Sequence, residues 1–450
     1  MLGYLSKILL LFMFSLFIIQ QYYFQFNHIE NFNGYTTYIL IIWFIYWIYK
    51  YFQVTDNTED KISYSLWTIL WFWAINLLVL SGMFFTLQNM NFSMWLILFF
   101  KIIWFLILPL IIILISISIW KYTLCNINWF ENENNTFKNI LSLIFGFFIV
   151  LTTIVIIWML GFYNIYNIVW VLLLYLIISW KNLYKYLEYF INYRFEFSKS
   201  EWYGLKLLST EFLFILSTLL LSINLISAFR PFPIGWDDLW AYMNYAQLLA
   251  ESWKIFNVTS MFSWETFTGI WYIFNSPTQA FFLNNVWWIL SFILMIAIFS
   301  DLLKSKIKKH FINIPLLLAT IFISMPMFIF EQAKDMKLDP GLYFVSISAV
   351  YLILKLLLNT DKNSFKNKFL SFLGNQNTTI WSKYIYYLLI WIILGFAFSI
   401  KFTSLLLISG LLALLFYARL WLFALLGYLG IYFSIFTKFW LWKLMNVSYP

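Results

Sequence analysis

Residues 102–120 read IIWFLILPLIIILISISIW, a run without one charged side chain. A helix rises about 1.5 Å per residue, and a hydrocarbon core about 30 Å thick takes about 20 apolar residues to cross. The stretch fits that length, and the rest of the chain repeats its texture. Of 450 residues, 63% belong to the hydrophobic set, 24% are aromatic and 10% are charged. Soluble domains sit near half apolar and a quarter charged. A water-soluble fold has too little interior for this much apolar side chain, so the solvent is lipid. That excludes a cytosolic enzyme, a disulfide scaffold and a disordered chain. An outer-membrane barrel is excluded too, because its strands alternate instead of running apolar. The single cysteine, Cys125, has no partner for an internal disulfide. His28 and His310 are far apart in sequence, and no Cys/His cluster has metal-ligand spacing.

On the same ruler the chain holds about thirteen spans. They centre near Met13, Trp43, Asn76, Leu106, Phe148, Leu172, Phe214, Leu290, Phe322, Ser346, Ile392, Leu411 and Leu429. The first follows Lys7 as a signal peptide would, but no small-residue cleavage site comes after it, so it reads as retained. Lys101 makes the start of the fourth span the least defined. With a cytoplasmic N-terminus, the outer loops hold Lys101, Arg230, Lys254, Lys334, Lys337, Lys401, Lys438 and Lys443. The other 20 of the 28 Lys and Arg residues fall inside. That bias is the expected sign of a multi-pass protein, here of a bacterial cytoplasmic membrane. The net charge of +9 is read as topology and not as a nucleic-acid footprint, since no basic domain stands apart.

Two textures divide the chain. Residues 1–200 form a bundle of six spans with short outer loops. Residues 230–340 hold six of the eight prolines (Pro231, Pro233, Pro277, Pro315, Pro326 and Pro340) and the longest outward loop, about 230–280. Proline and polar loops at a membrane surface mark non-helical backbone, where sites tend to be built.

That loop begins Arg230-Pro231-Phe232-Pro233-Ile234-Gly235-Trp236-Asp237-Asp238. Beyond it Leu239, Met243, Ala246, Leu249 and Trp253 recur at three- and four-residue steps, which predicts an interfacial helix lying flat. One aspartate at its start is explained as an N-cap; the second is not. The next outward loop runs from Glu331 to Pro340 and carries Lys337 and Asp339, with Asp339-Pro340 also fitting a cap followed by proline at the first helical position. Together these loops bring acids to one membrane face, where carboxylates serve as general base or hold a divalent cation against a phosphate. Lys401, at the outer junction of the eleventh and twelfth spans, is either a snorkelling anchor or a cation for an anionic headgroup. The inner basic runs, Lys304–Lys309 and Lys362–Lys368, read as topology signals and lipid contacts.

The order of these features is an acidic pair in an outward loop, a helix carrying Tyr242 and Ala246, a Lys337-x-Asp339 loop, and a Gly395-to-Lys401 stretch. In that order it resembles the lipid-phosphate-dependent glycosyltransferases of the GT-C superfamily, in particular their protein O-mannosyltransferase and aminoarabinose-transferase branch. The resemblance covers about residues 207–420. The resemblance leaves the six N-terminal spans unaccounted for; joined to the span count, it makes the expected fold an all-α polytopic integral membrane protein of about thirteen transmembrane helices. Residues 207–450 would form a GT-C-like core, open to further helices at its C-terminal end, and residues 1–200 an added N-terminal bundle. It also implies that Asp237 is the catalytic base, with Asp238 standing where Glu is commoner in the family. Asp339, Lys337 (in place of a frequent Arg), Lys401, Arg230 and Tyr242 would bind substrate. If a divalent metal (Mg or Mn) is used, Asp238 and Asp339 are its candidate ligands.

The expected function is transfer of a sugar, with inversion, from a polyprenyl-phosphate donor to a glycan or protein acceptor on the outer side, as in cell-envelope assembly. Its rival is a transporter or flippase of lipid-linked or small-molecule substrates. Transporters place ionisable residues near the bilayer midplane, whereas here the helix interiors are nearly free of charge. A glycan ligase ranks third, because Arg230 is the one arginine assigned to the outer side. A non-catalytic membrane scaffold is the remaining reading.

Overall fold

The computed structural model describes residues 92–124, 135–192, 242–252, 262–303, 313–324, 337–358, 379–401 and 403–417. It also describes the segments 61–65 and 194–198 and scattered positions within 66–77 and 213–225. Two compact units emerge, neither of them one continuous stretch of chain. One is Met1–Leu106, Leu187–Phe229 and Met295–Lys334; the other is Ile107–Tyr186, Arg230–Leu294 and Asp335–Pro450.

Helices dominate, as the apolar runs predict. They are α1 (Phe92–Leu124), α2 (Asn135–Met159), α3 (Ile165–Asn192), α4 (Met243–Ser252), α5 (Phe262–Thr268) and α6 (Ile270–Ile273). After them come α7 (Pro277–Leu303), α8 (Asn313–Ser324), α9 (Asp339–Leu358), α10 (Thr379–Ile400) and α11 (Ser404–Tyr417). Among the described residues, four helices carry stretches long and apolar enough to cross a membrane: Phe99–Trp120, Phe137–Met159, Ile165–Glu188 and Pro277–Leu303. Shorter apolar helices cover Ile314–Ile323, Asp339–Leu354 and Leu389–Ile400. The spans expected near Met13, Trp43 and Leu429 lie outside the described residues. Lys101 does not delimit the fourth span: α1 starts before it and runs through it, with the lysine exposed on the helix surface.

One element departs from an all-helical chain. Strands β1 (Lys61–Ser65) and β2 (Arg194–Ser198) pair antiparallel, with Lys61 opposite Ser198 and Ser65 opposite Arg194. The register sets Ile62 against Phe197 and Tyr64 against Phe195. Alternation over five residues is too short a signal to stand out among long apolar helices. The ribbon belongs to the first unit, as does α8, whose Leu316, Ala319 and Ile323 are buried.

The second unit holds Asp339 and Lys401, two of the residues singled out from the sequence. Its helices approach closely where small residues permit, as membrane helices do when lipid removes the hydrophobic drive between them. A Cβ built on Gly146 of α2 would stand 1.7 Å from the Ser116 carbonyl oxygen of α1. The α2–α3 turn follows from its sequence. Gly161 adopts φ 76°, which glycine accepts without strain. Its N–H bonds the Trp158 carbonyl and the Phe162 N–H bonds the Ile157 carbonyl, the pattern of a Schellman C-cap. Asn164 then caps α3, its Oδ1 accepting the Asn167 N–H at 2.9 Å.

Buried aromatic rings from five helices fill the centre. Phe147 (α2) lies 4.2 Å from Trp287 (α7), 5.1 Å from Phe267 and 5.8 Å from Trp264 (both α5), measured between ring centroids. Phe396 (α10) and Phe344 (α9) complete the cluster, at 5.8 Å from Phe147 and 5.2 Å from Trp287 respectively. Such pairs contribute about 0.5–1.5 kcal/mol each beyond burial.

The helix expected after the acidic pair is α4. Its predicted apolar face is the buried one, with Met243, Ala246 and Leu249 all turned inward. That face meets protein and not lipid. Trp158 Nε1 donates to the Leu249 carbonyl at 2.6 Å, and Gly269 leaves only 3.1 Å between its would-be Cβ and the Ala246 carbonyl. These three positions of the expected stripe are taken up by intramolecular packing, while its other two, Leu239 and Trp253, lie outside the described residues.

Candidate functional site

Both ends of the second unit are fixed by polar contacts. At one end Tyr186 donates to Asn139 Oδ1 at 2.9 Å and Asn182 Nδ2 to the Ser118 carbonyl at 3.2 Å. At the other, the short loop after α2, the start of α5, the first turns of α7 and α9 and the close of α10 come together. Tyr163 donates to the Thr266 carbonyl at 2.5 Å, and burial holds its phenol well above the ordinary tyrosine range, hence neutral. Ser263 Oγ donates to the Ser399 carbonyl and lies 3.1 Å from Ser399 Oγ.

The centre of this end is an ion pair. Lys401 Nζ stands 2.9 Å from Asp339 Oδ1, with side-chain exposures of 30% and 27%. Asp339 occupies the first turn of α9, where the helix dipole favours a carboxylate. Lys401 follows the last residue of α10. Its N–H bonds the Ala397 carbonyl at 3.3 Å and its own carbonyl accepts the Ser404 N–H at 3.1 Å, so the junction into α11 is a defined turn. Asn284 of α7 donates to the Lys337 carbonyl at 2.5 Å, and Trp264 Nε1 donates to Asn284 Oδ1 at 3.3 Å. A Cβ on Gly341 would come within 2.1 Å of the Trp264 ring carbons. The start of α9 is thus seated on one indole and held by one amide, which fixes where Asp339 sits.

Of the residues singled out from sequence, Asp339, Lys337 and Lys401 gather at this end. Tyr242 is half-buried just before α4. Asp237, Asp238 and Arg230 lie outside the described residues. The cap reading of Asp339 gives way to a different role: it lies inside the first helical turn, and its carboxylate meets Lys401. Lys401 likewise is paired and does not simply reach for the interface as an isolated anchor. Among the described residues no three His, Cys, Asp or Glu side chains cluster. Sequence reading passed over Trp264, Asn284, Ser263 and the buried Glu265, which is 2% exposed. The run Ser263-Trp264-Glu265-Thr266, polar within an aromatic-rich stretch, was the available signal.

A lysine–carboxylate pair that keeps about a third of its surface open can exchange partners. The ammonium can turn to a phosphate oxygen while the carboxylate accepts a hydroxyl. No protein-family model matches the chain, no curated protein matches it, and no solved structure matches it.

Proposed function

We propose that this protein is a membrane glycosyltransferase that moves a sugar from a polyprenyl-phosphate donor to a glycan or protein acceptor on the extracytoplasmic side. The observation that carries the reading is the Lys401–Asp339 pair. A cation and an acid 62 positions apart in the chain meet where α9 begins and α10 has just ended, beside a glycine–tryptophan seat. In this reading the donor's phosphate takes the Lys401 ammonium, and Asp339, released from the pair, accepts a sugar hydroxyl. Lys337 and Arg230 add positive charge near the phosphate, and Tyr242 borders the sugar. Asp237 removes the proton from the acceptor hydroxyl as its oxygen attacks the anomeric carbon. The bond to the phosphate oxygen breaks, polyprenyl phosphate leaves, and the anomeric centre inverts. Asp238 shapes the site. Where a divalent metal (Mg or Mn) takes part, Asp238 and Asp339 are its candidate ligands.

The reading also has the protein multi-pass in a bacterial cytoplasmic membrane, N-terminus inside, in about thirteen spans. It is favoured over a transporter because the pair joins helix ends and not helix middles. The test is donor turnover by the Asp237→Asn and Lys401→Met variants in membranes. Turnover is expected to fall at least about a hundredfold in each while the protein accumulates normally. Full turnover in Asp237→Asn would remove the base from the account.

A further inference from the structure

Helix α3 is unlike the other long apolar helices. In its spanning window only 17% of residues are buried, against 61% in α2 and 44% in α7. Its inner side is well occupied: Ile168, Leu172, Leu183 and Tyr186 are buried, and Asn182 is tied to α1. The opposite side is graded along its length. Tyr166 and Trp170 are exposed at one end, Leu174 and Ile177 in the middle, and Trp180 and Tyr184 at the other. At 100° per residue these positions fall within one face. Tyr166 and Tyr184 are separated by about 27 Å along the axis at 1.5 Å per residue, close to the thickness of a hydrocarbon core. Aromatic bands at this separation with aliphatic side chains between them match the two interfaces of a bilayer. The Trp180–Tyr184 end also exposes Lys181 and Lys185, and the helix contains one acid, Glu188.

We infer that this face of α3 is a lipid-contact surface that spans the bilayer between two aromatic bands and engages anionic phospholipid headgroups through Lys181 and Lys185. The gradation selects lipid as the occupant. A protein partner would not require aromatic rings at two levels set by bilayer thickness, nor lysines at one of them. Long lysine side chains there lay their methylenes on the apolar surface and place the ammonium among phosphates. The inference rests on the membrane reading alone and is independent of sugar transfer.

The test uses the full chain in nanodiscs, in a Cys125→Ser background, with single cysteines introduced as Tyr166→Cys, Ile177→Cys and Tyr184→Cys. Each is spin-labelled and probed for collisions with oxygen and with a water-soluble nickel chelate. The label at 177 should favour oxygen most, with chelate access rising toward 166 and 184. Low access to both reagents at 177, as under another helix or a second copy, overturns the inference, and so does high chelate access there. Spin-labelled phosphatidylglycerol should associate more strongly than phosphatidylcholine, by up to about fivefold per lysine, and the Lys181→Gln/Lys185→Gln variant should lose that preference. A preference unchanged in the double variant, or none in the parent, overturns the headgroup assignment.

Discussion

The side chains of Asp339 and Lys401 meet at 2.9 Å although 62 positions separate them in the chain. Asp339 opens helix α9 and Lys401 immediately follows helix α10, so the contact joins one helix's N-terminus to its neighbour's C-terminal end. Each side chain keeps roughly a third of its surface open. The pair is therefore a poor structural clamp and a better reservoir of charge. A double-mutant cycle with Asp339→Asn and Lys401→Met, read by denaturant unfolding in detergent, should give a coupling of about 0.2–1 kcal/mol after solvent screening. A coupling of several kcal/mol would make the pair a structural strut.

Gly341→Ala should be far more damaging than its chemistry suggests. The added Cβ would lie 2.1 Å from the Trp264 ring, and that indole is fully buried within the aromatic cluster. Overpacking of this kind costs about 1–3 kcal/mol, and here it would also displace the first turn of α9 that carries Asp339. Thermal unfolding of the purified variant should show the loss. Gly395, inside α10, offers the contrast: beyond its own helix backbone and chain neighbours nothing lies within 4 Å of a Cβ built there, so Gly395→Ala should raise stability by up to about 1 kcal/mol.

Asn284→Ala removes one amide that accepts from Trp264 Nε1 and donates to the Lys337 carbonyl. Asn284 is wholly buried, so both partners lose their bond in an interior site. The expected destabilisation is about 1–3 kcal/mol, measurable in the same unfolding assay. Loss of less than about 0.5 kcal/mol would mean that water replaces the amide there.

Glu251 and Tyr272 form a surface pair with a defined pH response. The Tyr272 hydroxyl donates to Glu251 Oε1, and Gln247 Nε2 donates to the same oxygen at 2.9 Å. The Tyr272 bond, then that from Gln247, holds the Glu251 carboxyl below its ordinary 4.5. The same bond, with desolvation and the carboxylate charge, raises the Tyr272 phenol above 10.0. A depressed acid contributes stability above its unfolded value and loses it as pH falls through the folded one. A raised phenol contributes below its unfolded value and loses it as pH rises through the folded one. The contact should therefore persist between these limits. Tyr272→Phe should move the Glu251 titration upward toward 4.5, which carboxyl-carbon NMR would follow.

How much of this could be read beforehand depends on whether the signal is local. The buried stripe of α4, Met243, Ala246 and Leu249, followed directly from three- and four-residue spacing. What covers it did not, because Trp158 lies 91 positions from Leu249. The gathering of Asp339 with Lys401 was foreshadowed by assigning both to one side from charge placement, since helices that alternate in direction return such loops to a common end. The seat beneath Asp339 was hidden. A glycine at 341 reads as an ordinary helix residue until the indole of Trp264 is placed against it. Gly146 against the Ser116 carbonyl is the same case, for close approach depends on which helices are neighbours. The β1–β2 ribbon was missed because its pairing joins residues more than a hundred positions apart.

Transfer of a sugar from a lipid phosphate is read most directly by the movement of label. Native membranes with and without this chain would be supplied with a panel of radiolabelled polyprenyl-phosphate sugars, and label remaining in the lipid fraction would be followed. For at least one donor the label should pass to a glycan or protein fraction only when the chain is present, with polyprenyl phosphate released in equal amount. Equal label movement in membranes lacking the chain, or none for any donor in membranes containing it, would overturn sugar transfer as the activity.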